Sequence, residues 1–367
     1  MADLSDTRNK INEIDRRLAE LFEERMKLSE AVADYKKERG LPIFDAVREQ
    51  EIISRNASYM KDTGLTPYYT EFQHSLMDIS KKYQHKLIDG VRVAYSGIEG
   101  SFAHIASGKM FPDAVLLSCK SFREAYEAVE NGEADLCVLP IENSHSGEVG
   151  QVTDLMFNGS LHVTSVYPLR ISQNLIGLPE SSPELIRTVI SHPQALSQCA
   201  DYIEKHGFET VQASNTARAA REVSEKKDLS VAAIASAETA PLYGLKLLDH
   251  DINEDAANTT RFAVFSRTED KLAVNAEDHT FILMFTVKNE AGTLARAITA
   301  MGNYGYSMRV IRSRPLKNQA WQYYFYVEVL GKLGSDTGKE MLKALGETCE
   351  TLKVIGTYSN HAWGQEQ

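Results

Sequence analysis

Arg8, Arg25 and Lys36 lie along one edge of what the spacing makes a single long helix. Arg25 stands between Leu21 and Leu28, where a heptad seam asks for an apolar side chain. A buried, unpaired guanidinium is very costly, so Arg25 either pairs with an acid such as Glu24 or Glu51 or serves a ligand. The chain carries a formal net charge of -11 at pH 7, and three cations on one helix edge of so acidic a chain suggest a site for a dianion. Asp45, Arg48 and Glu49 follow, then Ser80 and Gln84, four residues apart and so on one helical face. Farther on lie GIEGSFAH (97–104), PIENSHSGEV (140–149), SHPQALSQC (191–199), NTARAA (215–220) and NTTRFAVF (258–265). His104, His145 and His192 lack the spacing of a ligand set, and no metal site is expected.

The elements that must position these residues fall into three stretches. Leu4, Ile11, Ile14, Leu18, Leu21, Leu28, Val32 and Tyr35 form a heptad seam. That seam predicts one helix of about 35 residues, capped by Ser5 or Asp6 and stopped by Gly40 and Pro42. A helix that long with one seam needs partner helices, from another subunit. A shorter helical piece covers DAVREQEII (45–53), and another follows Pro67 with Phe72, Leu76, Ile79 and Tyr83 as its apolar stripe. Taken singly, Ser80 and Gln84 beside that stripe read as solvated polar residues.

From about residue 90, short β-rich runs alternate with helical ones, which predicts a two-lobed α/β segment with parallel-rich sheets. Several strands there end in Gly, Ser, Thr or Asn just before a helix. Those are capping residues, and such helix N-termini could hold anions. From 279 the order is βαββαβ, a ferredoxin-like split. The expected divisions are 1–87, 90–270 and 279–361.

Composition narrows the function classes. Apolar residues make up 43% and charged residues 25%, an ordinary globular balance. The acidic charge argues against a nucleic-acid footprint. No apolar run approaches the ~20 residues of a membrane span, and no signal peptide is visible. Cys119, Cys137, Cys199 and Cys349 are scattered, as reduced buried thiols of a cytoplasmic protein would be.

The set Arg8, Arg25, Lys36, Asp45, Arg48, Glu49, Ser80 and Gln84 resembles the all-helical chorismate mutases. The resemblance implies an intertwined three-helix dimer in which Arg8 serves the partner's site. Arg8 and Arg25 would clamp carboxylates and Ser80 would add a hydrogen bond. Lys36 and Gln84 would donate to the breaking ether oxygen. Glu49 and the backbone near Asp45 would hold the ring hydroxyl, with Arg48 in support. Chorismate rearranges by a pericyclic shift, so positioning and charge stabilisation suffice.

The motifs from GIEGSFAH to NTTRFAVF resemble prephenate dehydratase, with Pro140-Ile141-Glu142-Asn143-Ser144 and Thr260-Arg261-Phe262 the most specific pieces. The resemblance puts Thr260 at the leaving hydroxyl. Asn143, Ser144, Ser191, Gln198 and Arg261 would orient the substrate. Glu142 is the expected proton donor, provided burial raises its pKa. Ser172-Gln173-Asn174 stands where the family commonly carries a histidine-containing stretch.

The last stretch is similar to an ACT regulatory domain, carried by Gly292-Thr293-Leu294 and Arg312-Ser313-Arg314-Pro315. The family patterns are GAL and ESRP, so Arg312 reverses a charge near the expected ligand amine. Together the resemblances imply a bifunctional chorismate mutase/prephenate dehydratase without cofactor, a homodimer or higher homo-oligomer, with L-phenylalanine as effector.

Overall fold

The computed structural model describes residues 4–269, 279–317 and 321–359. The chain divides into two compact units, Met1–Arg92 and Val93–Gln367.

In the first unit, α1 runs over Leu4–Arg39, 36 residues, and ends at Gly40, whose φ of 61° is open to glycine at no steric cost. Ser5 and Asp6 lie inside the helix, so neither is its cap. Helix α2 spans Ala46–Ala57 and α3 spans Thr66–Asp89, with Pro67 in its first turn. Asp45 caps α2 by accepting the Arg48 amide at 3.0 Å. Helices α1 and α2 both pack on α3.

The faces are turned differently from the expectation. On α3 the buried residues are Gln73, Met77, Ser80 and Gln84, while Phe72 and Ile79 are exposed. On α1 the inward side holds Arg25, Met26, Ser29, Ala33 and Lys36. The seam residues Leu18, Leu21, Leu28, Val32 and Tyr35 are 44–69% exposed. Polar side chains thus line the interior of the single chain, and the apolar stripes face out.

The second unit contains two sheets. The smaller has the order β10-β6-β9-β7-β8, built from Asn174–Gly177 (β6), Thr188–Ser191 (β7), Glu209–Gln212 (β8), Val231–Ala235 (β9) and Lys246–Asp249 (β10). Only β7 pairs parallel with its neighbours; the pairs of β6 with β9 and β10 are antiparallel. The larger sheet has the order β13-β14-β12-β15-β5-β11-β3-β1-β2, with β4 (Gly147–Glu148) paired to β3. Its dehydratase-like part comprises β1 (Arg92–Ser96), β2 (Val115–Cys119), β3 (Leu136–Asn143), β5 (His162–Arg170) and β11 (Thr259–Ser266). There β3 runs parallel to β1, but β11 is antiparallel to both β3 and β5. The two lobes stand as expected; the sheets are mixed rather than parallel-rich. The smaller lobe is inserted between β5 and β11, and the two crossing segments meet where the Ile171 amide donates to the Asn258 carbonyl at 2.7 Å.

Residues 279–359 follow the βαββαβ order: β12 (His279–Thr286), α11 (Thr293–Asn303), β13 (Ser307–Pro315), β14 (Tyr323–Leu330), α12 (Asp336–Thr348) and β15 (Thr351–Ser359). Their sheet is not separate. Gly356 of β15 pairs with Val163 of β5, and a Cβ on Gly356 would lie 2.0 Å from the Val163 carbonyl oxygen. Only glycine lets the two edges meet. Lys353 adds a bond to the carbonyl of Met156 at 2.8 Å, at the C-terminus of α6 (Gly150–Asn158). One core includes Leu139, Phe265, Met284 and Ile355, drawn from both stretches.

Candidate active sites

In the helical unit a cavity of about 580 Å3 gathers side chains from all three helices. Arg25, Ser29 and Lys36 come from α1, Asp45, Arg48 and Glu49 from the head of α2, and Ser80, Lys81 and Gln84 from α3. The Arg25 guanidinium donates to the Ser80 hydroxyl. Burial lowers the Arg25 pKa, the cost of withdrawing its charge from water. Lys36 reaches the Ile43 carbonyl at 2.6 Å. Gln84 is 8% exposed, and its amide oxygen is buried without a partner. An unsatisfied buried acceptor costs about 1–3 kcal/mol, a deficit that only a donor on a bound ligand would remove, the amide N–H groups remaining to donate elsewhere.

Seven of the eight sequence-marked residues line this cavity; Arg8 does not. It lies 17 positions before Arg25 on the same helix, hence roughly 25 Å away at ~1.5 Å per residue. Arg8 therefore cannot serve the cavity of its own chain. Lys81 escaped the sequence reading because a lone lysine on a helix is ordinarily solvated. Here its ammonium pairs with Glu49 at 2.9 Å and Asp78 at 2.9 Å.

Between the lobes of the second unit lies a cavity of about 370 Å3. Its lining includes Asn143, Gln198, Thr260 and Phe262. Asn143 closes β3 and Thr260 is the second residue of β11, and the two pair directly across the strands. The register shifts between Arg261 and Phe262, so Pro140 faces Phe262. Through this bulge Pro140 and Asn143 both reach the cavity although they are three residues apart. The Asn143 amide donates to the Thr260 hydroxyl oxygen at 2.9 Å and to the Asn258 side chain at 2.7 Å. Its own oxygen accepts the His145 and Ser146 amides at 3.0 and 2.9 Å. Asn143 is therefore fixed, and Thr260 receives a hydrogen bond that leaves its hydroxyl hydrogen free to donate.

Two helices open onto the same space. Ser101 caps α4 (Phe102–Met110), accepting the His104 amide at 3.3 Å, and Asn215 caps α9 (Thr216–Lys226), accepting the Arg218 amide at 2.7 Å. Ser101, Phe102, Ala103, Asn215 and Thr216 all line the cavity. No lysine or arginine does so among the described residues. Helix N-termini, neutral amides, hydroxyls and the imidazole of His192 are what this cavity offers an anion. Capping signals in GIEGSFAH and NTARAA pointed to these residues; Gln173, marked in the sequence only as part of a departure from the family pattern, also lines the cavity, 2% exposed with an unpartnered buried amide oxygen.

Four expected residues stand elsewhere. Ser191 is fully buried and donates to the Ile234 carbonyl at 2.6 Å, a strand-to-strand tie. Ser144 is exposed and accepts the Thr259 amide at 3.0 Å. Glu142 and Arg261 alternate with Asn143 and Thr260 along their strands, so they point to the opposite face of the sheet. There Arg261 binds Glu142 at 2.8 Å and both oxygens of Glu328 at 2.9 and 3.0 Å, and its guanidinium also reaches the Tyr358 hydroxyl at 2.7 Å. Burial works against the Arg261 charge, but Glu328 outweighs it and raises the pKa. Burial likewise opposes the Glu328 charge, and Arg261 outweighs it and lowers the pKa. Glu142 is not placed to be the proton donor expected of it: a carboxylate held by two guanidiniums on the far face of the sheet is out of hydrogen-bond reach of the cavity.

The second of those guanidiniums belongs to Arg312. Along β13 the side chains alternate, so Arg312 and Arg314 turn inward and Ser313 outward. Arg314 binds Asp154 at 3.2 Å and Glu148 at 3.5 Å. Gly292, with φ 82°, caps α11; Thr293 follows, its hydroxyl bonded to the Lys288 carbonyl at 2.6 Å, and Leu294 is half-buried. Pro315 ends β13 beside a further cavity against α6 and α5 (Phe122–Glu130).

The three-helix unit with its cationic cavity and the two-lobed unit with its neutral cleft define a protein with two small-molecule sites of different chemistry. Residues 7–85 match the family chorismate mutase type II, and residues 93–270 match prephenate dehydratase. The bifunctional chorismate mutase/prephenate dehydratase of Escherichia coli (strain K12) is 30% identical over 366 residues, covering 96% of this chain and 95% of that one. Two solved structures share the fold of the second unit. One, described as GqqA, a novel type of quorum quenching acylase, is 29% identical with a TM-score of 0.68, covering 73% of this chain and 97% of that one. The other, a prephenate dehydratase in complex with L-Phe from Arthrobacter aurescens, is 24% identical with a TM-score of 0.68, covering 74% of this chain and 90% of that one. This chain belongs to the family of bifunctional chorismate mutase/prephenate dehydratases.

Proposed function

We propose that the chain performs two consecutive steps of phenylalanine biosynthesis. The helical unit rearranges chorismate to prephenate, and the two-lobed segment converts prephenate to phenylpyruvate with loss of CO2 and water. The observation that carries this reading is that two separate motif sets converge on two separate cavities.

In the mutase cavity Arg25 and Ser80 grip one carboxylate, and Lys36 and Gln84 donate to the ether oxygen as its bond breaks. Glu49, with the capped backbone at Asp45, accepts the ring hydroxyl, and Arg48 supports it. Each charge-assisted bond aimed at the transition state contributes about 1.5–3 kcal/mol. In the dehydratase cavity the Thr260 hydroxyl donates to the departing ring hydroxyl, held in aim by Asn143. Gln198 and the N-termini of α4 and α9 orient the carboxylates. Ser144, Ser191, Glu142 and Arg261 support the strands rather than touch substrate. Neither reaction calls for a cofactor, because aromatisation drives the second step.

The working unit is a homodimer or larger homo-oligomer. The exposed seam of α1 and the distance of Arg8 from its own cavity both support a partner helix, with Arg8 completing the partner's site. The division is 1–87, 90–270 and 279–361; residues 1–3, 270, 318–320, 360 and 361 lie outside the described residues. No described helix is long and apolar enough to cross a membrane. Free thiols at all four cysteines suit the cytoplasm.

The βαββαβ stretch acts as a ferredoxin-like ACT domain that binds L-phenylalanine and inhibits the dehydratase. Gly292, Thr293 and Leu294 at the head of α11 and Arg312, Ser313, Arg314 and Pro315 on β13 form its effector region. Arg312 already has Glu142 as partner, so it is not free to repel the ligand amine. A coupled assay of phenylpyruvate formed from chorismate, with and without phenylalanine, tests the whole reading. Product should appear and fall on adding phenylalanine. No product would contradict the two activities, and calorimetry without heat at millimolar phenylalanine would remove the effector.

A further inference from the structure

We propose that Lys81 is a substrate-positioning residue of the mutase, acting through Glu49. The inference rests on reading the helical cavity as the chorismate site. Lys81 follows Ser80 on α3 and lines the same space. Its side chain is 23% exposed and that of Glu49 21%, so neither is an ordinary solvated charge. The ammonium lies 2.9 Å from one Glu49 oxygen, 3.3 Å from the other, and 5.1 Å from the centroid of the Phe44 ring. Asp78 holds it from the solvent side at 2.9 Å. Burial disfavours the Lys81 charge, but the bonds to Asp78 and Glu49 outweigh that and raise its pKa.

The reason for such a lysine is electrostatic. The cavity must accept a ligand with two carboxylates, yet it also presents Glu49 to the ring hydroxyl. At an effective dielectric of ~20, one carboxylate within ~8 Å of another weakens binding roughly thirty-fold. The Lys81 ammonium, shared with the exposed Asp78, offsets much of that charge while leaving Glu49 able to accept a hydrogen bond. With Lys81 the lining holds four cations, Arg25, Lys36, Arg48 and Lys81, against two acids, Asp45 and Glu49. That is an excess of two positive charges on one chain's lining, before the exposed acids Asp78 and Glu51, which pair with Lys81 and Arg48 from outside it, or an Arg8 contributed by a second chain are counted. Without Lys81 it would be halved.

Steady-state kinetics on the full chain, with mutase and dehydratase assayed side by side, test this. Lys81→Met should raise the KM for chorismate about ten-fold or more, with kcat held within about three-fold. Lys81→Arg, which keeps the charge, should restore KM to within about three-fold of the parent. Prephenate turnover should not change, and the helical signal in far-UV circular dichroism reports that the three-helix unit of each variant is folded. The decisive readout is the cycle with Glu49→Gln: once the carboxylate is gone, Lys81→Met should cost less than about two-fold in KM. An unchanged KM in Lys81→Met, or an equal cost in both Glu49 backgrounds, overturns the proposal. Arg25→Ala separates this from failure of the site reading. If it too leaves chorismate turnover intact, the cavity is not the mutase site; if it abolishes turnover while Lys81→Met is silent, only the role of Lys81 falls.

Discussion

On the proposed reading, the two cavities hold dicarboxylates by opposite means. The mutase cavity uses Arg25, Lys36, Arg48 and Lys81, cations projected from helix faces. The dehydratase cavity uses Asn143, Gln198, Thr260 and the N-termini of α4 and α9, all without formal charge. The reactions account for the difference. Chorismate keeps both carboxylates through its rearrangement, so a cation on each helps to hold the reactive conformer and loses nothing at the transition state. Prephenate must release one carboxylate as CO2. A cation on that group would stabilise the ground state more than the transition state, in which its charge is dispersing. Neutral donors hold the substrate without resisting the loss.

The largest test of this contrast is Arg25→Ala, which should lower mutase kcat/KM about a thousand-fold, since a buried charge pair is cut on one side. Prephenate turnover should stay within two-fold in the same preparation, about the scatter between independent variants. Thr260→Val should lower dehydratase kcat about a hundred-fold, the usual cost of one aimed donor, with little change in the mutase. Raising ionic strength to about 0.5 M should increase the KM for chorismate several-fold and that for prephenate far less, because only one site relies on full charges. Equal salt responses would break the comparison. Ser146→Lys sharpens it by adding a cation at the exposed rim of the neutral cavity. Prephenate KM should fall and kcat should drop about five-fold, the worth of a rim charge. The smallest effect is expected of Glu142→Gln, whose dehydratase kcat should stay within about two-fold because the carboxylate faces the other side of the sheet.

Much of this was legible in the sequence because the chemistry was written in residue types at helical and strand spacing. The length of α1, the two lobes and the βαββαβ order all followed from periodicity and breakers. Seven of the eight residues marked by the resemblance to the chorismate mutases line one cavity. The orientation of faces was not legible. Periodicity finds the apolar stripe of α3 but cannot tell a core from a surface reserved for another chain, so Ser80 and Gln84 read as solvated although both are buried. Glu142 and Asn143 are neighbours in a motif, and a motif does not say which of two adjacent strand residues faces the ligand. The bulge at Ile141 added to this, because it changes the period on which Pro140 and Asn143 share a face. Lys81 carries no local signal and stands out only through its pairing with Glu49; Gln173 was marked as a departure from the family pattern, but its place in the cavity appears only in the structure. The boundary expected at 270–279 hid a shared sheet, because the pairing of Gly356 with Val163 joins residues far apart in sequence.

The central claim is that two independent sites in one chain act in succession, one with cations and one without. It is tested most directly by following chorismate, prephenate and phenylpyruvate together in full-length Arg25→Ala and Thr260→Val. The account predicts that Arg25→Ala leaves chorismate unconsumed yet converts added prephenate, while Thr260→Val consumes chorismate and accumulates prephenate. Phenylpyruvate formed from chorismate at the parent rate by either variant would contradict it.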